Sequence, residues 1–221
     1  MMRLLTVFIG VVLLIPVAGA EPSSAVAFDV ATVQLLRTAD PARGEALAKE
    51  SKCSKCHGDN GVSEDPEDVN IAGMRPSYLF KQLSDYRDEN RDDRDLYQQT
   101  RDMDDQQLAD LAVWFAAQQP LPPAADRNRD PAILRLVFEG DPERLIKACA
   151  SCHGRRGRGG QFDHPALAGQ YPEYLIYTLT EFKEGDRTND IYARMRSIAE
   201  VLTEEEIEGL ASYYGAAVPA E

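Results

Sequence analysis

The chain is written twice. Cys53-Ser54-Lys55-Cys56-His57 and Cys149-Ala150-Ser151-Cys152-His153 stand 96 positions apart, and a glycine follows each, Gly58 and Gly154. At the same offset Ala72-Gly73 matches Ala168-Gly169, Tyr78-Leu79 matches Tyr174-Leu175, Leu83 matches Leu179 and Arg91 matches Arg187. Further on the offset becomes 99, where Leu111-Ala112 matches Leu210-Ala211 and Trp114-Phe115 matches Tyr213-Tyr214. The first copy therefore lacks three residues between about Asp92 and Met103. Whatever unit one copy forms, the chain must form twice, so 221 residues divide into two small domains.

The prolines of Gln119-Pro120-Leu121-Pro122-Pro123 disfavour helix and predict a stiff, extended connection. This places the first domain at residues 21–119, a Pro-rich linker at 120–131 and the second domain at 132–221. Each copy reads as helical. Leu108, Leu111, Ala112 and Phe115 follow i, i+3, i+4, i+7, as do Ile207, Leu210, Ala211 and Tyr214, one apolar stripe on a terminal helix. Thr203 with Glu206, and Asp104 with Gln107, predict capping boxes at its start. A middle helix carries Leu79, Leu83 and Tyr86 in one copy and Leu175, Leu179 and Phe182 in the other. Pro76 and Pro172 stand near its start, where a missing N–H costs least. No alternating strand pattern is present, and the fold class expected is all-α.

Cys-x-x-Cys-His is the spacing by which c-type haem is attached. Each thiol adds across one vinyl group, a two-residue gap on a helical turn sets both sulfurs along one haem edge, and the adjacent His reaches the iron. Cys53, Cys56, Cys149 and Cys152 are thus the expected thioether residues, and His57 and His153 the proximal ligands. A structural zinc site would use facing cysteine pairs as thiolates, whereas the duplication gives each domain one pair and its own His. A thioredoxin-like pair needs a βαβ setting that the pattern does not offer. A simple disulfide in an oxidising compartment stays open. Haem also answers a folding question, because a domain of this size buries limited apolar surface and a covalently held macrocycle adds core.

With these motifs the chain resembles the dihaem class I cytochromes c of the cytochrome c4 family. The resemblance spans nearly the whole chain after residue 20. It is strongest in the second copy, through Cys149 to Gly154, Pro165-Ala166-Leu167-Ala168-Gly169-Gln170, Tyr174-Leu175, Phe182-Lys183-Glu184-Gly185, Met195 and Leu202 to Ile207. It implies two tandem cytochrome c domains, each built around one covalent haem c, carrying single electrons in the periplasm rather than acting as an enzyme. It also implies an axial Met seven residues before the hydrophobic residue that precedes the last helix. In the second copy that is Met195, seven before Leu202. In the first copy Met103 aligns with Leu202 and seven back is Leu96, which cannot ligate; Met103, Met74, Tyr97 or no side chain remain, with Met103 the candidate ligand. The family's proline carbonyl for the proximal His is Pro165 for His153, but Val69 stands in its place for His57. Two alternatives accompany the carrier reading: a haem subunit of a flavocytochrome or thiosulfate-oxidising complex, and a protein whose first haem is open to a small ligand.

Arg3, the apolar run Leu4 to Ile15 and Ala18-Gly19-Ala20 predict a cleaved signal peptide over residues 1–20, hence export. The formal charge of −13 disfavours nucleic acid, whose phosphates need a basic patch. Residues 21–119 carry 20 acids and 11 bases, and residues 120–221 carry 17 and 12, so the first copy is the more acidic. The expected partners are redox proteins with a basic docking face, including membrane respiratory complexes with which the chain would associate peripherally. Three smaller expectations concern charge. The acidic run from Asp85 to Asp110 should be a solvated helical surface, His164 a solvated loop residue, and Arg155, Arg156 and Arg158 a solvated turn or an anion-pairing cluster.

Overall fold

Helix starts follow from proline and aspartate. The computed structural model describes residues 28–125 and 128–216, so the leader expected at 1–20 lies outside the described residues. The first unit contains α1 (Val30–Thr38), α2 (Pro41–Glu50), α3 (Ser54–His57), α4 (Pro76–Arg87), α5 (Arg94–Thr100) and α6 (Asp105–Ala116). The second contains α7 (Pro131–Phe138), a two-residue hairpin Gly140–Asp141 and Ile146–Lys147, α8 (Cys149–His153), α9 (Pro172–Glu184), α10 (Arg194–Ala199) and α11 (Glu204–Tyr214). Pro41, Pro76, Pro131 and Pro172 each occupy a first helical turn. Asp29, Asp40, Asp93, Asp104 and Asp130 accept backbone N–H groups at N-caps, so part of the chain's acidity is helix punctuation. Both capping boxes form, at Asp104 with Gln107 and at Thr203 with Glu206.

Each unit packs its terminal helix across the others. In the first, α2 and α4 lie on α6 around Ala48, Leu79, Leu108, Leu111 and Phe115. In the second, α7 and α9 lie on α11 around Ile133, Leu136, Leu175, Leu210 and Tyr214. α1 packs against α6 and α4 yet buries none of its residues. Among the described residues no helix is long and apolar enough to cross a membrane.

The duplication is visible in the backbone. Gly61 O accepts from Ile71 and Ala72, and Gly157 O from Leu167 and Ala168. Gly73 (φ 68°) donates to Phe115 O at 2.9 Å, and Gly169 (φ 87°) to Tyr214 O at 3.0 Å. A Cβ at Gly73 would strike Pro120, and one at Gly169 the Leu121 carbonyl, so both left-handed glycines seat the segment between the units. That segment is pinned at its far end too: Pro123 bridges Ala216, and Ala124 N donates to Gly215 O at 2.8 Å.

Candidate haem centres

Each Cys-x-x-Cys-His motif forms one short helical turn ending in a left-handed glycine, Gly58 or Gly154. Both histidines are fixed from behind. His57 Nδ1 lies 3.0 Å from Val69 O and His153 Nδ1 lies 2.9 Å from Pro165 O. A carbonyl only accepts, so Nδ1 carries the proton and Nε2 keeps its lone pair, the tautomer a metal ligand needs. Burial holds both imidazoles below their usual pKa, hence neutral. No disulfide joins any of the four cysteines. Burial raises Cys53 and Cys56, and it pushes Cys149 up to about 11. No group of three or more His, Cys, Asp and Glu arranged for a bare metal ion occurs among the described residues.

Two cavities result. Cys149, Cys152, His153, Pro165, Met195 and Leu202 line one, whose wall is almost wholly apolar. Cys53, Cys56, His57, Val69, Leu96 and Met103 line the other, which is more polar. Each is closed by the opposite unit: Lys81 reaches the second cavity, while Tyr174 and Tyr177 reach the first. Tyr78, Gln82 and Arg187 line both. The two cavities therefore share one wall.

That wall has approximate two-fold symmetry. Arg91 lies over the Tyr86 ring at 4.7 Å and reaches Tyr174 Oη at 3.5 Å. Arg187 lies over Phe182 at 4.6 Å and reaches Tyr78 Oη at 3.4 Å. Gln82 Oε1 accepts from Arg91, Arg187 and Asn189 at 2.8, 3.0 and 3.0 Å. Lys81, 1% exposed, pairs with buried Asp85 and donates to Asn189 O at 2.5 Å. Burial lowers the Lys81 pKa against the pull of Asp85. Burial also opposes ionisation of Tyr174, but Arg91 and Arg187 outweigh it and draw the hydroxyl down to about 8.

These features suit haem. An apolar slot with a neutral, oriented His and two thiols fits the macrocycle. In the wall between the slots Lys81 pairs with buried Asp85, whereas Arg91 and Arg187 donate to the Gln82 amide oxygen. Arg91 and Arg187, donors to an amide rather than to a carboxylate in these contacts, suit the acidic groups a haem carries. The Tyr214 hydroxyl, buried at the second cavity, has no protein partner.

The cytochrome c family model matches the chain twice, over residues 41–117 and 143–214. The chain belongs to the cytochrome c family. A cytochrome c4 from Thiocapsa roseopersicina is 35% identical over 79% of this chain and 91% of that protein. The crystal structure of reduced recombinant cytochrome c4 from Pseudomonas stutzeri aligns with a TM-score of 0.71 at 31% identity, covering 80% of this chain and 98% of that one. A thiosulfate dehydrogenase electron acceptor from Stutzerimonas stutzeri is 30% identical over 78% of this chain and 82% of that protein. Within its family the chain is a dihaem electron-transfer cytochrome of the cytochrome c4 group, with two cytochrome c domains and two covalently bound haem c groups.

Several expected residues sit differently from their sequence reading. His164 is half-buried rather than solvated. Its Nε2 meets Arg194 Nη1 at 2.8 Å, and its ring lies edge-on 6.3 Å from that of His153. The acidic run is solvated only in part, because Asp85 and Asp110 are buried, the latter gripped by Arg43 at 2.6 Å. Arg155, Arg156 and Arg158 are exposed, with Arg155 over the Phe138 ring. Met103 is half-buried beside its core; Met74 is buried; Tyr97 is absent from the cavity lining. The shared wall was missed, although Tyr78/Tyr174 and Arg91/Arg187, polar pairs retained by both copies, were its signal.

Proposed function

We propose that the chain is an exported, periplasmic carrier of single electrons between respiratory or dehydrogenase donors and a terminal acceptor. In this reading residues 1–20 are a leader removed on export, 21–119 and 132–221 are the haem domains, and 120–131 joins them. Cys53 and Cys56 hold the first haem and Cys149 and Cys152 the second, through thioethers. His57 and His153 are the proximal ligands and Met195 the sixth ligand of the second haem. The haems supply the redox chemistry. The protein's residues orient the imidazoles through Val69 and Pro165, exclude water and supply the cations that balance the haem carboxylates.

The observation that carries this is the shared wall, since two haem slots separated by one layer of side chains suit electron exchange within one molecule. Support for the Met195 role comes from the backbone. Met195 and Arg196 N–H both donate to Asp190 Oδ2, at 2.8 and 3.0 Å, and Arg196 Nε grips Oδ1 at 2.7 Å. This clamp holds Tyr192 and Ala193 left-handed (φ 58° and 51°), a conformation costing about 1–3 kcal/mol per residue. The acidic surface of Asp88, Glu89, Asp92, Asp93 and Asp95 suits a partner with a basic face.

The test is haem content by mass and pyridine haemochrome in the exported protein, followed by redox titration. Two haems per chain should fall to one in Cys53→Ala/Cys56→Ala and in Cys149→Ala/Cys152→Ala. A double variant that still carries two covalent haems would overturn the assignment. The likeness to a thiosulfate dehydrogenase electron acceptor favours a second reading, a subunit that docks on a dehydrogenase. Co-purification with a catalytic chain would separate it from a free carrier.

A further inference from the structure

Leu96 and Met195 correspond at the 99-residue offset of the two copies. Each N–H is held by an upstream aspartate, Leu96 by the N-cap Asp93 Oδ1 at 2.9 Å and Met195 by Asp190 Oδ2, five residues before it, at 2.8 Å. Each lies near the start of a short helix, α5 or α10, that buries the residue four positions on, Thr100 (2% exposed) or Ala199 (0%). Each lines its domain's haem cavity. The side chain facing the sixth position is a thioether in one domain and an isobutyl group in the other.

Met103 does not take over the role. It occupies the position of Leu202, which also lines its cavity but as a core residue. The Met103 backbone is fixed on both sides: its N–H donates to Thr100 O at 2.9 Å, its carbonyl accepts from Arg87 at 3.4 Å, and Asp104 begins the capping box. Its half-buried side chain packs against the first domain's core at the edge of the cavity. Met74 also lines the cavity, but it is buried in the first domain's core, five residues after the Val69 whose carbonyl holds His57 from behind.

We propose that no side chain ligates the first haem at its sixth position, and that this site binds neutral diatomic ligands such as carbon monoxide or nitric oxide. The proposal rests on the haem assignment above. Leu96 offers an apolar face with no hydrogen-bond donor, and the Thr100 hydroxyl is spent on Leu96 O at 2.8 Å. Asp93 and Asp95, both exposed, line the same cavity and repel anions. Exposed Gln99 on the rim connects it to solvent.

The experiment is carbon monoxide titration of the reduced, full, haem-loaded protein, read by optical difference spectra, with haem counted by mass. Half of the haem should bind carbon monoxide. Affinity should fall about tenfold or more in Leu96→Met, where a ligand is supplied, or in Leu96→Phe, where space is filled. Met103→Leu should leave binding unchanged. No binding by wild-type protein carrying both haems overturns the proposal, whether or not Met103→Leu then gains it. Binding unaffected by both Leu96 variants overturns it as well. A protein with fewer than two haems would instead refute the underlying assignment, and mass reveals that separately.

Discussion

Gln170 should decide whether the two domains unfold as one. Its side chain crosses the interface to buried Asn70, with Nε2 donating to Asn70 O at 2.9 Å and Oε1 accepting from Asn70 N at 2.9 Å. The same oxygen accepts from Tyr171 N at 3.0 Å. Gln170→Ala therefore strands three backbone groups at a site where Gln170 is 3% and Asn70 5% exposed. Water can refill part of the space, so the lower part of the usual range applies, about 1–2 kcal/mol per group, or about 3–6 kcal/mol of domain docking. Tyr171→Phe is the measured contrast. It removes one bond, Tyr171 Oη to Ser63 O at 2.7 Å, and should cost about 1–3 kcal/mol. Guanidinium unfolding would be followed by Trp114 fluorescence, which reports the first domain, and by far-UV signal, which reports both. Wild type should give coincident transitions; Gln170→Ala should split them and slow exchange of electrons between the haems. A Gln170→Ala protein no less stable than Tyr171→Phe, with coincident transitions, would refute the lock.

Other expectations concern charge. Lys81→Met leaves the Asp85 carboxylate buried with reduced compensation and should cost about 3–5 kcal/mol, while Lys81→Met/Asp85→Leu should recover most of it; a double variant as unstable as the single one contradicts this. Arg144 holds Glu206 and Asp141 below the usual carboxylate range, at 2.6 and 2.8 Å. Both carboxyl pKa values are depressed on folding, so that stability is present above their unfolded values and lost as pH falls through the folded ones. Arg144→Met should thus be less stable than wild type at neutral pH and equal to it once both carboxyls are protonated, measured by denaturant midpoints; a gap independent of pH would sink the linkage. Electron transfer to a partner with a basic face should slow steeply as salt rises, and a flat salt dependence in stopped-flow measurements would remove the acidic surface from docking.

What the sequence made legible was what both copies repeat. Apolar spacing marked α6 and α11, prolines marked α4 and α9, and the capping boxes marked where the terminal helices begin. What it hid lies between the copies. Nothing local marks Lys81 on α4 as a buried residue, since its partner carbonyl, that of Asn189, comes from the other domain. Asn70 and Gln170 have no periodicity, because their partners are 100 positions away. His164 read as a loop residue because nothing local announces Arg194, 30 positions on.

The differences between the copies gather around one haem. The first domain is three residues shorter, has Leu96 where the second has Met195, and uses Val69 where the second uses Pro165. Val69 changes little, since a carbonyl 3.0 Å from His57 serves as well as one 2.9 Å from His153. The shorter length and the Leu96-for-Met195 difference fall in the same loop. The second domain spends its extra length on the left-handed turn at Tyr192 and Ala193, where Asp190 clamps Met195. The first enters α5 directly from Asp93, with a plain N-cap and no left-handed turn inside the helix. On the proposal that Leu96 leaves the sixth position open, this loop has no ligand to present and no such strain to hold. The shared wall meanwhile keeps its two-fold pairing of Arg91 with Tyr174 and Arg187 with Tyr78. The contact between the two cavities is symmetric while the loops at Leu96 and Met195 differ, which under the ligand proposal makes two unlike redox centres across a common boundary.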